Sequence, residues 1–156
     1  LGGYMNPSKG QVVYSLDGKT IAPEEIYKYV SVCAPYLELI EEMTLREFLS
    51  YHATFKPMKL PVDDIIRRIG LEAARDKWIE KFSSGMKQRV KLAQAFFADT
   101  PVLLLDEPCT NLDEDGIRLY HELFQQESGQ RIVLVASNDK TEYMMCKQQL
   151  QVHTIG

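Results

Sequence analysis

The run VLLL at residues 102–105 is apolar throughout and ends in two adjacent carboxylates, Asp106 and Glu107. A second apolar run, RIVLVA at 131–136, follows after a segment with helical spacing, EDGIRLYHELFQQ at 114–126. Strands that are apolar at every position are typical of parallel sheets, in which helices cover both faces. The sequence therefore predicts an α/β fold built on a parallel sheet that is covered on both faces.

Asp106 and Glu107 fall where chemistry takes place in such folds, because ligands of open α/β sheets bind at the carboxyl ends of the strands. Two neighbouring carboxylates repel each other, and burial adds a desolvation cost, unless a cation or hydrogen-bond donors compensate. Hydrated Mg²⁺ is suited to this because it prefers hard oxygen ligands. The pair predicts a metal-phosphate site. In the alternative interpretation, one carboxylate caps the next turn and the other is solvated.

Composition excludes several other classes of protein. With 156 residues, of which 45% are apolar, the chain has the size and apolar content of one folded domain. Its formal net charge of -4 gives no general attraction to nucleic acid or anionic lipid. The three cysteines are scattered without CxxC spacing, which argues against a disulfide framework or a zinc site and favours a reducing compartment. No apolar run approaches the roughly 20 residues of a membrane span.

Local patterns divide the chain into three parts. QVVYSLDGK at 11–19 predicts a strand that runs into a turn, and YVSVC at 29–33 predicts a second strand. The segment that follows has helical patterns, with a predicted capping box between Thr44 and Glu47. The three predicted parts are the end of an N-terminal core at 1–35, a small helical subdomain at 36–80 and a C-terminal core at 81–156.

The segment FSSGMKQR at 82–89 predicts a helix start with an unusual first turn. Ser83 or Ser84 can cap the helix, but no Asp or Glu occupies the positive end of the helix dipole. Free N–H groups, serine hydroxyls and the close approach that Gly85 permits would suit a phosphate supplied from outside. The alternative is a common serine-capped amphipathic helix with solvated lysines.

Together, these residues resemble a known family. The stretch SSGMKQRVKLAQAFFADTPVLLLDEPCTNLD at 83–113 resembles the ATP-binding cassette (ABC) ATPases, with a signature sequence, a Walker B strand LLLDEP and a D-loop TNLD. Upstream, LGGYMNPSKGQVVYSLDGKTI at 1–21 is similar to the segment that follows the P-loop helix in these ATPases, where a Pro-x-x-Gly turn leads into a strand. The resemblance covers essentially the whole chain. It implies a P-loop NTPase-like parallel sheet with an inserted helical subdomain.

The resemblance also implies roles for residues at the strand ends. Asp106 would hold Mg²⁺, and Glu107 would orient or deprotonate the water that attacks the γ-phosphate of ATP. Asn138 stands where the family usually places a histidine that contacts the γ-phosphate. An amide can donate a hydrogen bond but does not become positively charged. Asn138 therefore predicts weaker or different stabilisation of the transition state. A role for Asn138 in a strand-end turn remains an equal alternative.

The signature segment implies a second protomer. In the family, this loop grips the γ-phosphate of ATP bound to the opposite protomer, so that two domains close head to tail around two nucleotides. Asp113 matches the D-loop aspartate at the dimer seam, and it is equally suited to cap the following helix. The residues that the resemblance assigns to the signature loop are Ser83, Ser84, Gly85 and Met86.

Several features depart from the family pattern. No GxxxxGK[ST] occurs in the 156 residues, so the cradle for the β- and γ-phosphates is absent and this chain alone is not expected to bind ATP. Because the first residues resemble the end of the P-loop helix, we expect a truncated rather than a degenerate sequence. The family's usual Gln is missing near Pro35, and Ser84 stands where Gly is commoner.

The resemblance implies that the chain functions as an ATP-binding and hydrolysing subunit of an ABC transporter. The implied partners are a second ATPase protomer and a transmembrane permease, on the cytoplasmic face of a membrane, and no nucleic acid is expected. Two alternatives remain: a catalytically weakened cassette that completes a partner's site, and a soluble ABC ATPase that is not part of a transporter. Basic residues near the signature are interpreted as an electropositive surface near bound nucleotide: Arg75, Lys77, Lys81, Lys87, Arg89 and Lys91.

Overall fold

The computed structural model of the protein describes residues 12–151. In chain order, its elements are β1 (Tyr14–Leu16), β2 (Lys19–Ile21), β3 (Val30–Cys33), α1 (Leu45–Phe55), α2 (Val62–Arg68), α3 (Ser84–Phe96), β4 (Val102–Asp106), α4 (Glu114–Glu127), β5 (Ile132–Ala136) and α5 (Lys140–Tyr143). Three short 3₁₀ helices lie at Pro23–Lys28, Glu72–Ala74 and Ile79–Lys81.

Strands β3, β4 and β5 form a parallel sheet in that order. The register places Leu104 of β4 between Val32 of β3 and Leu134 of β5. Because β4 is hydrogen-bonded on both edges, its backbone groups are satisfied without solvent, as a fully apolar strand requires. The predicted α/β fold with a parallel sheet is confirmed.

The two faces of this sheet differ, and the prediction that both are covered is wrong for residues 12–151. The connections from β3 to β4 and from β4 to β5 run in the same direction across the sheet, so right-handed crossovers place α3 and α4 on the same face. That face buries Leu103 and Leu105 completely or almost so. On the other face, Ile132 is 62% exposed and Leu134 is 41% exposed.

The N-terminal strand prediction is confirmed as an antiparallel hairpin. Asp17 and Gly18 both have positive φ, 50° and 76°, as a two-residue turn with the twist of the flanking strands requires. The Pro-x-x-Gly turn suggested at residues 7–10 lies outside the described residues. At the other end, the described residues 149–151 form no strand.

Helix α1 begins at the predicted capping box. The Thr44 hydroxyl accepts a hydrogen bond from the Glu47 amide, and the Glu47 carboxylate accepts one from the Thr44 amide at 2.9 Å. The carboxylate also accepts from the Thr44 hydroxyl at 2.8 Å, and the two bonds that it accepts lower the pKa of Glu47 because they favour its charged form. The buried side chains of α1 and α2 share one continuous core with α3 and β4. The assignment of residues 36–80 to a separate subdomain remains a prediction.

Helix α3 buries one apolar face. Val90 and Ala93 are fully buried, as are Phe96 and Phe97 at the end of the helix, where they pack against the sheet. Within residues 12–151, no helix has both the length and the apolar composition needed to cross a membrane.

His52 on α1 is expected to make the stability of the protein sensitive to acid. Burial lowers its pKa to about 4, and repulsion from Lys56 adds to the effect. The neutral imidazole therefore contributes stability that is present above the ordinary pKa of 6.5 and is lost as the pH falls toward the folded value. As the pH falls from 6.5 to about 4, we expect the free energy of unfolding to decrease by about 2–3 kcal/mol more in the native protein than in a His52→Gln variant. Urea denaturation across this pH range measures the difference, and parallel profiles for the two proteins would contradict it.

Candidate active site

The turn after β4 carries the paired carboxylates. Asp106 is the last residue of β4, pairs with Ala136 of β5 and is partly buried, whereas Glu107 is exposed. Glu107 has φ of 43°, a left-handed conformation that a residue with a Cβ rarely adopts. Such a conformation costs on the order of 1–3 kcal/mol and persists only where the surroundings hold it. Strained backbone of this kind is concentrated at functional sites, which supports the prediction for this pair.

Backbone contacts hold the turn at both ends. The Glu107 amide donates to the Ala136 carbonyl at 2.9 Å, and the Thr110 amide donates to the Glu107 carbonyl at 3.2 Å. Asn111, later in the same turn, also has a positive φ of 64°. The chain then enters α4, where the Asp113 carboxylate caps the helix by accepting from the Gly116 amide at 2.8 Å. That bond is the main cause of the lowered pKa of Asp113.

The signature segment forms the start of α3. Ser83 is the N-cap, and its hydroxyl accepts from the Met86 amide at 3.2 Å, while Ser84 is the first helical residue. Both serines are exposed. The first turn of α3 contains no acidic residue, so the positive end of this 13-residue helix is free of internal carboxylates. The geometry fits an external anion such as a phosphate group.

The start of α3 packs directly against the carboxylate turn. A Cβ on Gly85 would lie 3.1 Å from the Asn111 carbonyl oxygen, so the close approach depends on glycine. The side chain of Gln88, only 3% exposed, donates from Nε2 to the Pro108 carbonyl at 2.7 Å. Arg89 lies 3.3 Å from Asp113 in an ion pair. The structure thus brings the signature segment, Asp106–Glu107 and Asp113 into one continuous unit.

Asn138 lies at the same edge of the sheet. It follows β5 by two residues, is exposed, and precedes Asp139, which caps α5. Since β4 and β5 are neighbouring parallel strands, their carboxyl ends place Asp106 and Asn138 at adjacent strand ends. The arrangement allows both residues to face one ligand above the sheet edge.

Three members of the basic cluster, Arg75, Lys87 and Arg89, lie in ion pairs, and the electropositive surface remains a prediction. Lys87 is paired with Glu41, and Arg89 with Asp113. Lys91 donates to the Pro35 carbonyl at 2.7 Å, and burial lowers its pKa. These contacts tie α3 to the segment around Pro35, where the two parts line a cavity of about 540 Å³. Sequence alone does not show which acidic side chains lie opposite a basic cluster.

The residues present fit part of a Mg²⁺-nucleotide site. Mg²⁺ binds through one or two protein carboxylates and keeps several waters and phosphate oxygens. Asp106 at the strand end meets that requirement, and within residues 12–151 there is no cluster of three or more metal-binding side chains that would indicate a fully protein-made metal cage. The free start of α3 meets the requirement for a phosphate. The phosphate cradle itself has no counterpart in the sequence, which contains no GxxxxGK[ST].

Two residues of this unit were not identified from the sequence, Gln88 and Glu142. Gln88 lies on the same buried stripe of α3 as Leu92 and Ala95. A polar residue at an otherwise apolar position was the one signal in the sequence that could have identified it. Glu142 is 4% exposed and accepts a hydrogen bond from the Cys109 amide at 2.7 Å. It lies in a helix of four residues, for which no periodicity can show a buried position.

Comparison with known proteins gives a consistent result. A family model described as "ABC transporter" matches residues 1–110. The uncharacterized ABC transporter ATP-binding protein YybJ of Bacillus subtilis (strain 168) is 31% identical over 98% of this chain and 72% of its own length. The ABC transporter ATP-binding protein NatA of the same organism is 26% identical over 96% of this chain and 64% of its own length.

A solved structure described as an ATP binding subunit of an ABC transporter superimposes with a TM-score of 0.72 and 27% sequence identity. The superposition covers 87% of this chain and 59% of the solved chain. The chain therefore spans between about three-fifths and three-quarters of these three proteins.

Replacing Gln88 by Ala is expected to destabilise the folded protein. The change leaves the buried Pro108 carbonyl without its partner and opens a small cavity, so the free energy of unfolding should fall by about 2–3 kcal/mol. Gln125→Ala, an exposed glutamine in α4, is the matched control and should change it by less than about 0.5 kcal/mol. Equal effects of the two substitutions in chemical denaturation would show that Gln88 does not hold the turn.

Proposed function

Because this chain belongs to the ABC transporter family, we propose that it is part of the ATP-binding and hydrolysing subunit of a transporter. The observation that carries the proposal is the packing of the signature segment against the carboxylate turn, through the 2.7 Å bond from Gln88 to Pro108. This packing joins the two elements that phosphoryl transfer requires, a carboxylate pair and a free helix start.

Each residue at the strand ends has a proposed task. Asp106 holds Mg²⁺, which when bound neutralises charge on the phosphates. Glu107, exposed at the surface of the turn, orients and deprotonates the attacking water. Asn138 donates a hydrogen bond to a phosphate oxygen from its amide. Because an amide gains no charge, we expect this contact to stabilise the transition state less than an imidazolium would.

We further propose that the active form is a dimer with two nucleotides at the seam. Ser83 and Ser84 are exposed, and the adjacent helix start lacks an internal anion, so a phosphate held by a second protomer can approach it. With Gly85 and Met86, these serines form the proposed signature loop. Asp113, whose side chain is 73% exposed, lies beside this loop through its pair with Arg89 and belongs to the same proposed seam.

A permease subunit on the cytoplasmic face of the membrane is the proposed second partner. The segment after β3 is exposed, with Tyr36 at 73%, and it borders the cavity between Pro35 and α3. Lys87 and Lys91 join this segment to the signature helix, so a partner that moves it also moves the start of α3. We propose that residues 36–80 form the inserted helical subdomain that carries this contact.

Two departures from the family pattern favour a second function. Asn138 stands where the family usually has an ionisable group, and no Gln is present near Pro35, so the second candidate function is to complete a partner protomer's site with little ATP hydrolysis by this chain itself. The exposed Glu107 favours the ATP-hydrolysing function, because a protomer that only completes its partner's site needs no catalytic carboxylate of its own.

A Glu107→Gln variant distinguishes the two functions. In the polypeptide that contains this chain, we expect the substitution to lower the rate of ATP hydrolysis by about 10²–10⁴-fold, because general base catalysis contributes about that much. ATP should then accumulate in a stable dimer, measurable by size-exclusion chromatography with bound nucleotide. Glu114→Gln, in the first turn of α4, is the matched control and should leave the rate unchanged. An already negligible native rate that Glu107→Gln leaves unchanged would support the partner function.

A further inference from the structure

The three residues at the start of the carboxylate turn are each held by a different element. Glu107 donates its amide to the Ala136 carbonyl of β5 at 2.9 Å. The Pro108 carbonyl accepts from Gln88 of α3 at 2.7 Å. The Cys109 amide donates to Glu142 Oε1 of α5, also at 2.7 Å. Contacts from β5, α3 and α5 therefore hold the left-handed conformation of Glu107. The proposed catalytic roles do not explain the contact from α5.

Glu142 is an unusual residue for a purely structural contact. It is 4% exposed, and Oε2 has no hydrogen-bond partner among residues 12–151. Burying a carboxylate is costly when few donors satisfy it, and a neutral side chain would bury the same volume at lower cost. Its carboxylate also lies close enough to the Cys109 thiol to add to the effect of burial, which raises the pKa of that thiol to about 12. The thiol therefore remains neutral, and the short hydrogen bond that Glu142 Oε1 accepts from the Cys109 amide ties α5 to the carboxylate turn.

The backbone around Glu142 is anchored separately. The Tyr120 hydroxyl donates to the Glu142 carbonyl at 2.6 Å, and Tyr120 is fully buried. At the start of α5, the Asp139 carboxylate accepts from the Thr141 amide at 2.8 Å. These bonds make the segment from Asn138 to Glu142 a short, fixed connection. Its first residue faces the proposed nucleotide, and its last residue holds the turn that bears Glu107.

We propose that Glu142 is a positioning residue that couples the Asn138 loop to the catalytic turn. Its carboxylate holds the Cys109 amide, which sets the backbone of Glu107 and the start of the D-loop. A displacement of Asn138 on contact with a phosphate is thereby transmitted to Glu107 through Asp139, the first three residues of α5 and one hydrogen bond. The catalytic consequence of this coupling rests on the proposed ATPase function, whereas the bond itself does not.

The first test measures amide hydrogen exchange at Cys109 in the full polypeptide that contains this chain. Glu142→Ala removes the acceptor, so we expect exchange at Cys109 to accelerate by about tenfold or more relative to the native protein. Glu142→Gln retains an acceptor oxygen and should stay within about threefold. Tyr120→Phe is the matched control, because it removes the other anchor of α5 and leaves the carboxylate in place. Unchanged exchange at Cys109 in Glu142→Ala would overturn the proposal.

The second test measures ATP hydrolysis by the same variants. Misplacement of Glu107 should lower kcat of Glu142→Ala by about tenfold to a hundredfold and leave KM for ATP within about twofold, with recovery in Glu142→Gln. Equal losses in Glu142→Ala and Tyr120→Phe would show that Glu142 only anchors α5, and would overturn the coupling. Where Glu142→Ala does not fold, Glu142→Asp takes its place, because the shorter side chain withdraws the carboxylate. A native polypeptide without ATPase activity refutes the proposed function, and the exchange at Cys109 then decides the role of Glu142.

Discussion

Strand β4 is hydrogen-bonded to a parallel neighbour along each edge, and this pairing determines where the candidate site residues lie. The pairing leaves no free backbone group along the strand, so VLLL can be apolar at every position. It also brings the ends of β4 and β5 to one edge of the sheet, where Asp106 pairs with Ala136. The next residue, Glu107, leaves the sheet in a left-handed conformation. The fold therefore brings a carboxylate pair to the sheet edge at which open α/β folds usually bind ligands, with a backbone conformation that neighbouring elements hold in place.

Those neighbours come from elements far apart in the sequence. Gln88 reaches the turn from the signature helix, and Glu142 reaches it from the helix after Asn138. The same turn therefore joins the proposed trans-acting loop, the proposed catalytic carboxylate and the proposed phosphate contact. Pro108 and Cys109 are therefore two contact points through which motion at one of the three can reach the others. This arrangement gives a physical basis for coupling nucleotide contact to the position of Glu107.

The sequence predicted most elements because their signals are local. Thr44 and Glu47 determine the start of α1, and Asp113 caps α4 with its own side chain. The coverage of the sheet could not be predicted in the same way, because it depends on the order of the strands and the hand of the connections. The roles of Gln88 and Glu142 were also missed, since their partners at Pro108 and Cys109 lie 20 and 33 residues away in sequence. Polar residues in the core acquire their roles from tertiary neighbours, which neither composition nor periodicity records.

The most direct test of the account is a structure of the full polypeptide with Mg²⁺ and a non-hydrolysable ATP analogue. We predict a dimer in which Asp106 lies at the Mg²⁺ ion, directly or through water, and in which the γ-phosphate contacts Ser84 of the opposite protomer. Glu107 should face the γ-phosphate with its left-handed backbone unchanged. A nucleotide bound away from Asp106, or a signature segment that contacts no phosphate, would contradict the central claim that these residues form a composite ATPase site.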